Sequence, residues 1–406
     1  MATAVDRILE WHQNIRSPHL GEKLRRLCDS PFRFYRGTFP LFAADVKRFR
    51  GMGMRGGIVG DVHAENYGAF RAVTGEIVYD INDFDEATNG DYEWDVLRLT
   101  VSLMLASLGE QRFGEALGAA EAAVRAWLEG MRRWGEYSRK QFEELPEAAE
   151  VRELLKDSKE NARTEFLKRI VRPGRDGQFQ FRHGEGYTPI PEALPAVRRA
   201  LAGYLADCLA PKNAVPSRYV LQDIAVREAG TGSLGRHRYA ILLDKGVEEQ
   251  PDYATLRLIE WKQSLDSALD TPRPHTTKGR AAQVFQYTVR GQLFPKRYLG
   301  VAQMSGMPMQ GREIGSNDQR FAAKQFSTPG RLGKAAVIFG GILARCHLLM
   351  ARGEDGPRAI PGNVAGGEDR YVNRLLGFTA QYAAQVCDDH AELLSRRQEV
   401  EDVWRR

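Results

Sequence analysis

The chain has 406 residues, and its 58 lysines and arginines against 53 aspartates and glutamates give a formal net charge of +5. This charge is small for the length and does not indicate a nucleic acid or an anionic membrane as a partner. The longest apolar run, 335–344, is far shorter than the roughly 20 residues that a membrane span needs. The first residues lack the apolar core of a signal peptide, and the four cysteines form no CxxC pair. We therefore expect a soluble, cytoplasmic protein.

Helical spacing dominates the first half of the chain. Apolar residues recur at helical intervals over 6–15, 20–28, 41–50, 96–108, 112–171 and 194–209. The segment 112–171 is predicted to form two long helices separated near Pro146. Short strands are predicted between these helices, at 58–59, 67–70 and 76–79. The Gly-, Arg- and Pro-rich segment 172–192 is predicted to be an exposed loop, and 211–216 a domain boundary.

Strand patterns dominate after this boundary. Predicted strands cover 219–228, 238–244, 255–263, 298–303 and 307–314. Helices are predicted at 276–293, 333–351 and 369–405. These elements predict a mixed α+β protein in three segments: a mostly helical one at 1–212, an antiparallel sheet with one helix at 213–318, and returning helices at 319–406.

Two loops in the first segment carry the residue types that phosphoryl transfer uses. Gly60-Asp61-Val62-His63-Ala64-Glu65-Asn66 follows one buried strand, and Asn82-Asp83-Phe84-Asp85-Glu86 follows another. Phosphoryl transfer needs one carboxylate to orient the attacking hydroxyl, and an Asn with an Asp to hold Mg²⁺. Asp61 is the candidate for the first role, and Asn66 and Asp83 are the candidates for the second. A bound Mg²⁺ would also allow two carboxylates to stay ionised close together.

Other polar residues near these loops have two interpretations each. His63 either contacts the transferring phosphoryl group or hydrogen-bonds the loop backbone. Asp85 either binds a second metal ion or lies on a solvated loop, and Arg36 is either an anion ligand or a cation stacked on aromatic rings. Asp95 is predicted to cap helix 96–108, which is apolar on nearly every face and therefore buried. Its carboxylate is expected to bond main-chain N–H groups of that helix or of a neighbouring loop.

A glycine-rich segment and a lysine in the second segment add a phosphate-binding pattern. Gly230-x-Gly232-Ser233-x-Gly235 connects two predicted strands. A dinucleotide-binding unit would need a helix after these glycines, so the pattern favours a hairpin over nucleotide phosphates, with an ordinary turn as the alternative. Lys262 lies near the end of the next strand and either pairs with the α- and β-phosphates of ATP or extends to the surface.

These segments resemble the protein-kinase-like superfamily, in particular its aminoglycoside and choline kinase branch. Gly60-Asp61-x-His63-x-x-Asn66 and Asn82-Asp83-Phe84 match the spacing of its catalytic and metal loops, and Asp95 matches the acid that begins its next buried helix. More closely, the chain resembles a bacterial family called domain of unknown function 2252. The pattern of that family also includes Ser30-Pro31-Phe32, Tyr35-Arg36-Gly37, Trp94-Asp95, Arg98-Leu99, the glycine-rich segment and Lys262. The resemblance implies a fold and a cofactor class, but no substrate.

The order of the motifs differs from that of an ordinary kinase, in which the glycine-rich loop and the lysine precede the catalytic loop. We therefore expect a circularly permuted, protein-kinase-like bilobal fold, with 213–318 as the N-lobe and the helical segments as the C-lobe. A second departure concerns the helix glutamate that usually pairs with the lysine. Predicted helix 276–293 offers Gln283 and Gln286 instead. Either Lys262 is held differently, or phosphotransfer is altered or weak.

The predicted function is an ATP- and Mg²⁺-dependent phosphotransferase that acts on a small hydroxylated molecule. Asp61 is the expected general base, Asn66 and Asp83 the metal ligands, and Lys262 with the glycine-rich segment the phosphate-binding group. The alternatives are a non-catalytic nucleotide-binding pseudokinase, a nucleotidyltransferase and a metallophosphoesterase, whose first metal motif also contains Asp-x-His. The phosphoesterase would need further Asp, Asn and His ligand segments that the sequence lacks.

Overall fold

The computed structural model describes residues 2–12, 20–108, 113–133, 151–152, 154–156, 163–174, 177–228, 236–246, 252–270, 279–316, 318–320, 330–351 and 356–405. These residues form a mixed α+β protein in which every paired strand is antiparallel to its neighbour. The predicted α+β class is therefore confirmed.

Helices and strands alternate in blocks along the chain. The helices are α1 (Ala4–His12), α2 (Leu20–Cys28), α3 (Pro31–Gly37), α4 (Phe39–Val46), α5 (Tyr92–Leu108), α6 (Phe113–Arg132), α7 (Arg163–Ile170), α8 (Leu194–Asp207), α9 (Gly279–Gly291), α10 (Arg331–Met350), α11 (Ile360–Asn363), α12 (Glu368–Ser395) and α13 (Arg397–Arg405). The strands are β1 (Arg55–Ile58), β2 (Tyr67–Arg71), β3 (Ile77–Ile81), β4 (Thr88–Asp91), β5 (Val171–Pro173), β6 (Phe179–Phe181), β7 (Tyr187–Pro189), β8 (Val220–Arg227), β9 (Arg238–Asp244), β10 (Leu256–Gln263), β11 (Gly300–Met304), β12 (Met307–Glu313) and β13 (Gln319–Arg320).

One hydrophobic core joins helices from both ends of the chain. It contains apolar side chains of α1 to α6, α10 and α12. Helices α6 and α10 cross closely. A Cβ added to Gly340 on α10 would lie only 2.2 Å from the carbonyl oxygen of Ala123 on α6. Glycine at this crossing therefore allows the two backbones to approach each other. Helix α5 is buried in the same core, as its apolar sequence predicts.

Helix α10 is the one helix among the described residues that is long and apolar enough to cross a membrane by length and composition. In the structure, 72% of its apolar window is buried inside the protein. Its neighbours include α5, α6, α9 and the strands β1 and β3, so α10 has the surroundings of a core helix. Its length and composition are weak support for a membrane span.

Two small sheets support the two candidate loops. Strand β1 pairs with β4, and β2 lies between β3 and β13. Tyr67 pairs with Ile81, so the first loop ends where the second begins. The main-chain N–H of Asn82 also donates to the carbonyl oxygen of Asn66 over 2.8 Å. This pairing places the two loops side by side.

A six-stranded antiparallel sheet has the order β11-β12-β10-β9-β8-β7. One face packs on α8, where the rings of Tyr204 and Trp261 lie 5.3 Å apart. The opposite face begins as an apolar surface that includes Leu256 and Leu258. Because side chains alternate along a strand, Glu260 and Lys262 continue that second face. The apolar surface thus gives way to charged side chains along one strand.

The structure corrects four details of the predicted elements. The segment 172–192 contains strands β5, β6 and β7, with Phe179 and Phe181 buried, and is not simply an exposed loop. The predicted helix 369–405 is divided into α12 and α13 at Arg396. Helix α5 begins at Tyr92, so Asp95 lies in its first turn and is not its N-cap. Of the helices predicted over 112–171, α6 ends at Arg132 and α7 covers 163–170, while the region around Pro146 lies outside the described residues.

Candidate functional site

The two predicted loops meet through the side chain of Asn66. Its amide nitrogen donates to the main-chain carbonyl of Asp61 over 3.0 Å and to that of Asp83 over 2.9 Å. Asn66 ends a short 3₁₀ helix (Ala64–Asn66), and its side chain is buried. Since both amide hydrogens are used, the amide oxygen is the polar atom that remains for a ligand. Asn66 thus fixes the distance between the two loops.

Asp61 is held by a buried arginine from α5. The Nε and Nη2 atoms of Arg98 lie 2.8 and 2.7 Å from the same carboxylate oxygen, Oδ1. Arg98 is fully buried, whereas the side chain of Asp61 is 26% exposed. Burial raises the pKa of Asp61 to about 6, even though Arg98 opposes the rise. The second oxygen, Oδ2, makes neither of these contacts with Arg98.

Asp95 anchors the beginning of the first loop. Its two carboxylate oxygens each accept a 2.7 Å hydrogen bond, from the main-chain N–H groups of Val59 and Gly60. His347 on α10 lies 3.0 Å from Oδ2 of Asp95, and Trp127 donates to the other ring nitrogen of His347 over 3.1 Å. Asp95 is expected to bond main-chain N–H groups either of its own helix or of a neighbouring loop, and the structure shows the loop.

Lys262 enters the site from β10 and pairs with the second loop. Its Nζ lies 3.0 Å from Oδ2 of Asp83 and also forms an ion pair with Asp85. Burial would raise the pKa of Asp83, but the charges of Lys262 and Arg312 outweigh it and hold the pKa well below its usual range. The pKa of Asp85 is raised, chiefly by burial and by the charge of Asp83. Asp83 is therefore ionised in this arrangement.

Arg236 and Arg280 complete the support of the second loop. Arg236 lies 3.1 Å from Asp85 and 2.6 Å from Glu86. Arg280 on α9 donates to the main-chain carbonyls of Asp85 and Ala87 over 2.6 and 2.9 Å. Asp85 therefore lies in an ion network and not on a solvated loop. Its role as a second metal ligand stays a prediction.

The carboxylate partners of Lys262 come from the second loop and not from α9. Gln283 on α9 accepts a hydrogen bond from Arg280 over 3.0 Å. Lys262 pairs with Asp83 and Asp85, as described above. Lys262 is thus held by carboxylates of the second loop, and an altered or weak phosphotransfer stays the second alternative.

A cavity of about 500 Å³ opens between the loops and the six-stranded sheet. The predicted site residues on its wall are Asp61, His63, Asn66, Asp83, Asp85 and Lys262. The six-stranded sheet also contributes charged side chains to the wall, namely Arg227, Arg238, Glu260, Arg312 and Glu313, and Arg236 lines it from just before β9. The structure thus brings together residues from distant parts of the sequence at one concave, highly charged surface.

His63 and Arg36 form the wall next to Asp61. Nε of Arg36 lies 3.3 Å from Nε2 of His63, and Arg36 also pairs with Glu65. The guanidinium of Arg36 lies 5.9 Å from the ring centroid of Phe32, so it has both an ionic and an aromatic neighbour. Both side chains line the cavity, and their two interpretations remain open.

The predicted phosphate-binding glycines cannot be placed against this cavity. Gly230, Gly232, Ser233 and Gly235 lie in 229–235, outside the described residues. The strands on either side, β8 and β9, pair with each other as a hairpin requires. The role of the glycine-rich segment in covering phosphates stays a prediction.

Sequence reasoning missed several charged residues of the site. Arg98 is the charged residue of 96–108, an otherwise uncharged and mostly apolar stretch. A charge in a buried helix needs a partner, so this position could have been recognised as an ion-pair site. Glu260, two residues before Lys262, could have been placed on the same face by strand alternation. Arg227, Arg238 and Arg312 carry no local motif that marks them.

Fold and site together define a mixed α+β protein with a charged cavity at the junction of helices and sheet. A family model described as "Uncharacterized protein conserved in bacteria (DUF2252)" matches residues 17–396. The chain therefore belongs to this family, as its motifs had indicated. Comparison with curated proteins and with solved structures found no significant match.

Proposed function

We propose that this protein is a cytoplasmic, ATP- and Mg²⁺-dependent phosphotransferase with a circularly permuted, protein-kinase-like bilobal fold. The observation that carries the proposal is the meeting of Asp61, Asp83 and Lys262 at one cavity, although Asp83 and Lys262 lie 179 residues apart in the chain. In this interpretation the six-stranded sheet with α9 corresponds to an N-lobe. The helical core and the two loops correspond to a C-lobe.

Asp61 is the proposed general base. It accepts the proton of an acceptor hydroxyl while the hydroxyl oxygen attacks the terminal phosphorus of ATP, and the bond to the bridging oxygen breaks to release ADP. Arg98 binds Oδ1 of Asp61 through two nitrogens, which leaves Oδ2 for the hydroxyl. A pKa of about 6 keeps Asp61 mostly ionised at neutral pH while it can still receive a proton.

The side chains of Asn66 and Asp83 fit a magnesium ion. Asp83 is held ionised, and the amide oxygen of Asn66 remains after both amide hydrogens have been donated. Mg²⁺ favours oxygen ligands and takes few of them from the protein, which leaves positions for phosphate oxygens and water. When bound, the ion would neutralise charge on the phosphates. Lys262 lies 3.0 Å from Asp83 and would bind phosphate oxygens next to the ion.

The alternatives differ in how the observations bear on them. A metallophosphoesterase is disfavoured, because the described part of the chain holds no group of three His, Cys, Asp or Glu side chains placed to bind a metal ion. A nucleotidyltransferase or a non-catalytic nucleotide-binding protein would use the same cavity as a kinase. The acceptor class, a small hydroxylated molecule, rests on the resemblance to the aminoglycoside branch.

Thermal unfolding with and without MgATP tests the proposal. A ligand at 100 times its Kd should stabilise the wild type by roughly 2.7 kcal/mol. Asp83→Asn should abolish most of this shift, since it removes a metal ligand. Asp91→Asn is the matched control, because Asp91 pairs with Arg55 over 3.5 Å and lies outside the cavity wall. The absence of any shift with millimolar MgATP in the wild type would reject the proposal.

Labelled ATP then separates the remaining alternatives. Transfer of the terminal phosphate to a hydroxyl compound supports a phosphotransferase, and transfer of AMP supports a nucleotidyltransferase. Binding without transfer, across a broad panel of hydroxylated acceptors, supports the pseudokinase. Mn²⁺-dependent release of phosphate from a generic phosphoester, unaffected by Lys262→Ala, would favour the phosphoesterase.

A further inference from the structure

The sheet side of the cavity carries a cluster of three arginines around one buried glutamate. The side chain of Glu260 is 1% exposed and lies 3.3 Å from Arg238 and 3.0 Å from Arg312. Arg227 forms a third ion pair with the same carboxylate. All four residues line the cavity. We call this group the arginine cluster.

Strand register explains why these residues meet. Glu260 on β10 pairs with Arg312 on β12, and Lys262 pairs with Arg238 on β9. Arg227 is the last residue of β8, the strand beyond β9. The cluster is therefore built on adjacent strands of a sheet and not on mobile surface side chains. Such a rigid support suits a binding site.

Two groups of opposite net charge lie on the cavity wall, namely the second loop and the arginine cluster. The second loop has three carboxylates, Asp83, Asp85 and Glu86, around the cations Lys262 and Arg236. The arginine cluster has three cations around one carboxylate. The excess of carboxylates on the second loop suits a metal ion, whereas the excess of arginines in the cluster suits an anion.

The protonation of the cluster agrees with an excess of positive charge. Burial would raise the pKa of Glu260, but the three arginines outweigh it and hold the pKa well below its usual range. Burial lowers the pKa of Arg238, and Arg227 and Arg312 lower it further, against the effect of Glu260. Glu260 is thus an ionised internal counter-ion shared by three guanidinium groups.

We propose that Arg227, Arg238 and Arg312 form an anion subsite that binds a phosphate or pyrophosphate group of the substrate. Guanidinium groups bind phosphate oxygens with two parallel hydrogen bonds, and several of them can surround one polyanion. Glu260 and Lys262 are two residues apart on one face, so the subsite lies about 7 Å along β10 from Lys262. The anion is either part of the phosphate chain of the donor or a phosphate on the acceptor. Only this assignment to a substrate rests on the proposed function; the anion binding does not.

Calorimetric titration with inorganic tripolyphosphate, in EDTA and without Mg²⁺, tests the subsite in the full chain. Arg227→Gln and Arg238→Gln should each weaken binding by roughly tenfold or more, because each removes a charge-assisted hydrogen bond. Arg345→Gln is the matched control, since Arg345 forms a comparable buried pair with Asp80 over 2.8 Å and neither residue lines the cavity. It should bind tripolyphosphate as the wild type does.

Glu260→Gln gives a second test with an opposite sign. Removal of the internal counter-ion should raise the affinity for tripolyphosphate while it lowers the stability of the free protein. A purely structural cluster would lose stability with no gain in affinity. That result, or wild-type affinity in both folded arginine variants, or no binding of millimolar tripolyphosphate to the folded wild type, would overturn the proposal.

Two further measurements assign the source of the anion and separate the two proposals. Competition between tripolyphosphate and MgATP supports the phosphate chain of the donor, and simultaneous binding supports a phosphorylated acceptor. If Mg²⁺-independent binding persists in Asp83→Asn and no transfer from ATP is found, the anion subsite stands and the phosphotransferase proposal fails.

Discussion

Replacement of Arg98 by methionine should destabilise the protein in a pH-dependent way. Arg98 is fully buried, contacts Asp61 twice and donates to the main-chain carbonyl of Tyr35 over 2.9 Å. Its guanidinium also lies 3.6 Å from the ring centroid of Tyr35. Breaking a buried ion pair by removing one partner typically costs about 3–5 kcal/mol. We expect a loss of that size for Arg98→Met at pH 8.

The pH dependence follows from the carboxyl group that remains. The native pKa of Asp61 is about 6, above the ordinary value of 3.8 for an aspartate. The native state therefore binds the proton of Asp61 more tightly than the unfolded state does. The stability that this proton contributes is fully present below pH 3.8 and is lost as the pH rises through 6. Without Arg98 the native pKa rises further, and the loss continues above pH 6. The cost of Arg98→Met should thus be smaller at pH 5 than at pH 8, by roughly 1.3 kcal/mol if the native pKa of Asp61 rises from about 6 to about 7.

Urea unfolding followed by circular dichroism at pH 5 and pH 8 measures both quantities. The double variant Arg98→Met with Asp61→Asn is the control, because it removes the unpaired carboxylate. It should be more stable than the single variant at pH 8. An equal cost at both pH values, together with a double variant no more stable than the single one, would refute this account of the pair.

Two other predictions concern the first loop. Gly60→Ala should destabilise the protein by roughly 3 kcal/mol or more, because Gly60 has a φ of +84° and an added Cβ would lie 2.5 Å from the carbonyl oxygen of Glu86. Gly75→Ala, with a φ of +93° and no atom within 4 Å of its Cβ, should cost only about 1 kcal/mol of backbone strain, and equal losses in urea unfolding would contradict the steric argument. If Asp61 is the general base, the rate of transfer from labelled ATP should fall about tenfold per pH unit below pH 6 and be flat above it. A rate that is independent of pH between 4.5 and 8 would exclude Asp61 from this role.

The elements that could be predicted from the sequence are those with a regular apolar face. Helix α2 and strand β9 match their predicted bounds, and α8 ends within two residues of its prediction. The short strands of 172–192 have too few residues to show an alternating pattern: β5 and β6 pair with each other over three residues, and β7 pairs with the distant β8. The main-chain N–H groups of Phe179 and Phe181 on β6 donate to side chains of Gln222 and Asp223, a contact with no local pattern.

The candidate site also contains residues that could be predicted from the sequence and residues that could not. Asp61, Asn66 and Asp83 could be predicted as a group, since they lie within one stretch of strand, loop, strand and loop. The ion networks around them could not, because Arg98, Arg236 and Glu260 act on partners that the fold brings near. Ion pairing depends on distance and burial, and neither is visible before the chain is folded.

The register between β9 and β10 has a consequence for how this family can vary. On β10, Glu260 and Lys262 face the cavity, while Trp261 contacts Tyr204 in the core on the other side. A one-residue insertion within this strand would exchange the two faces beyond it. It would bury two charges against α8 and expose an indole ring to the cavity. Natural insertions and deletions are therefore expected in the connections of the sheet and not within β10, so the spacing between Glu260 and Lys262 is a stricter marker of this site than either residue alone.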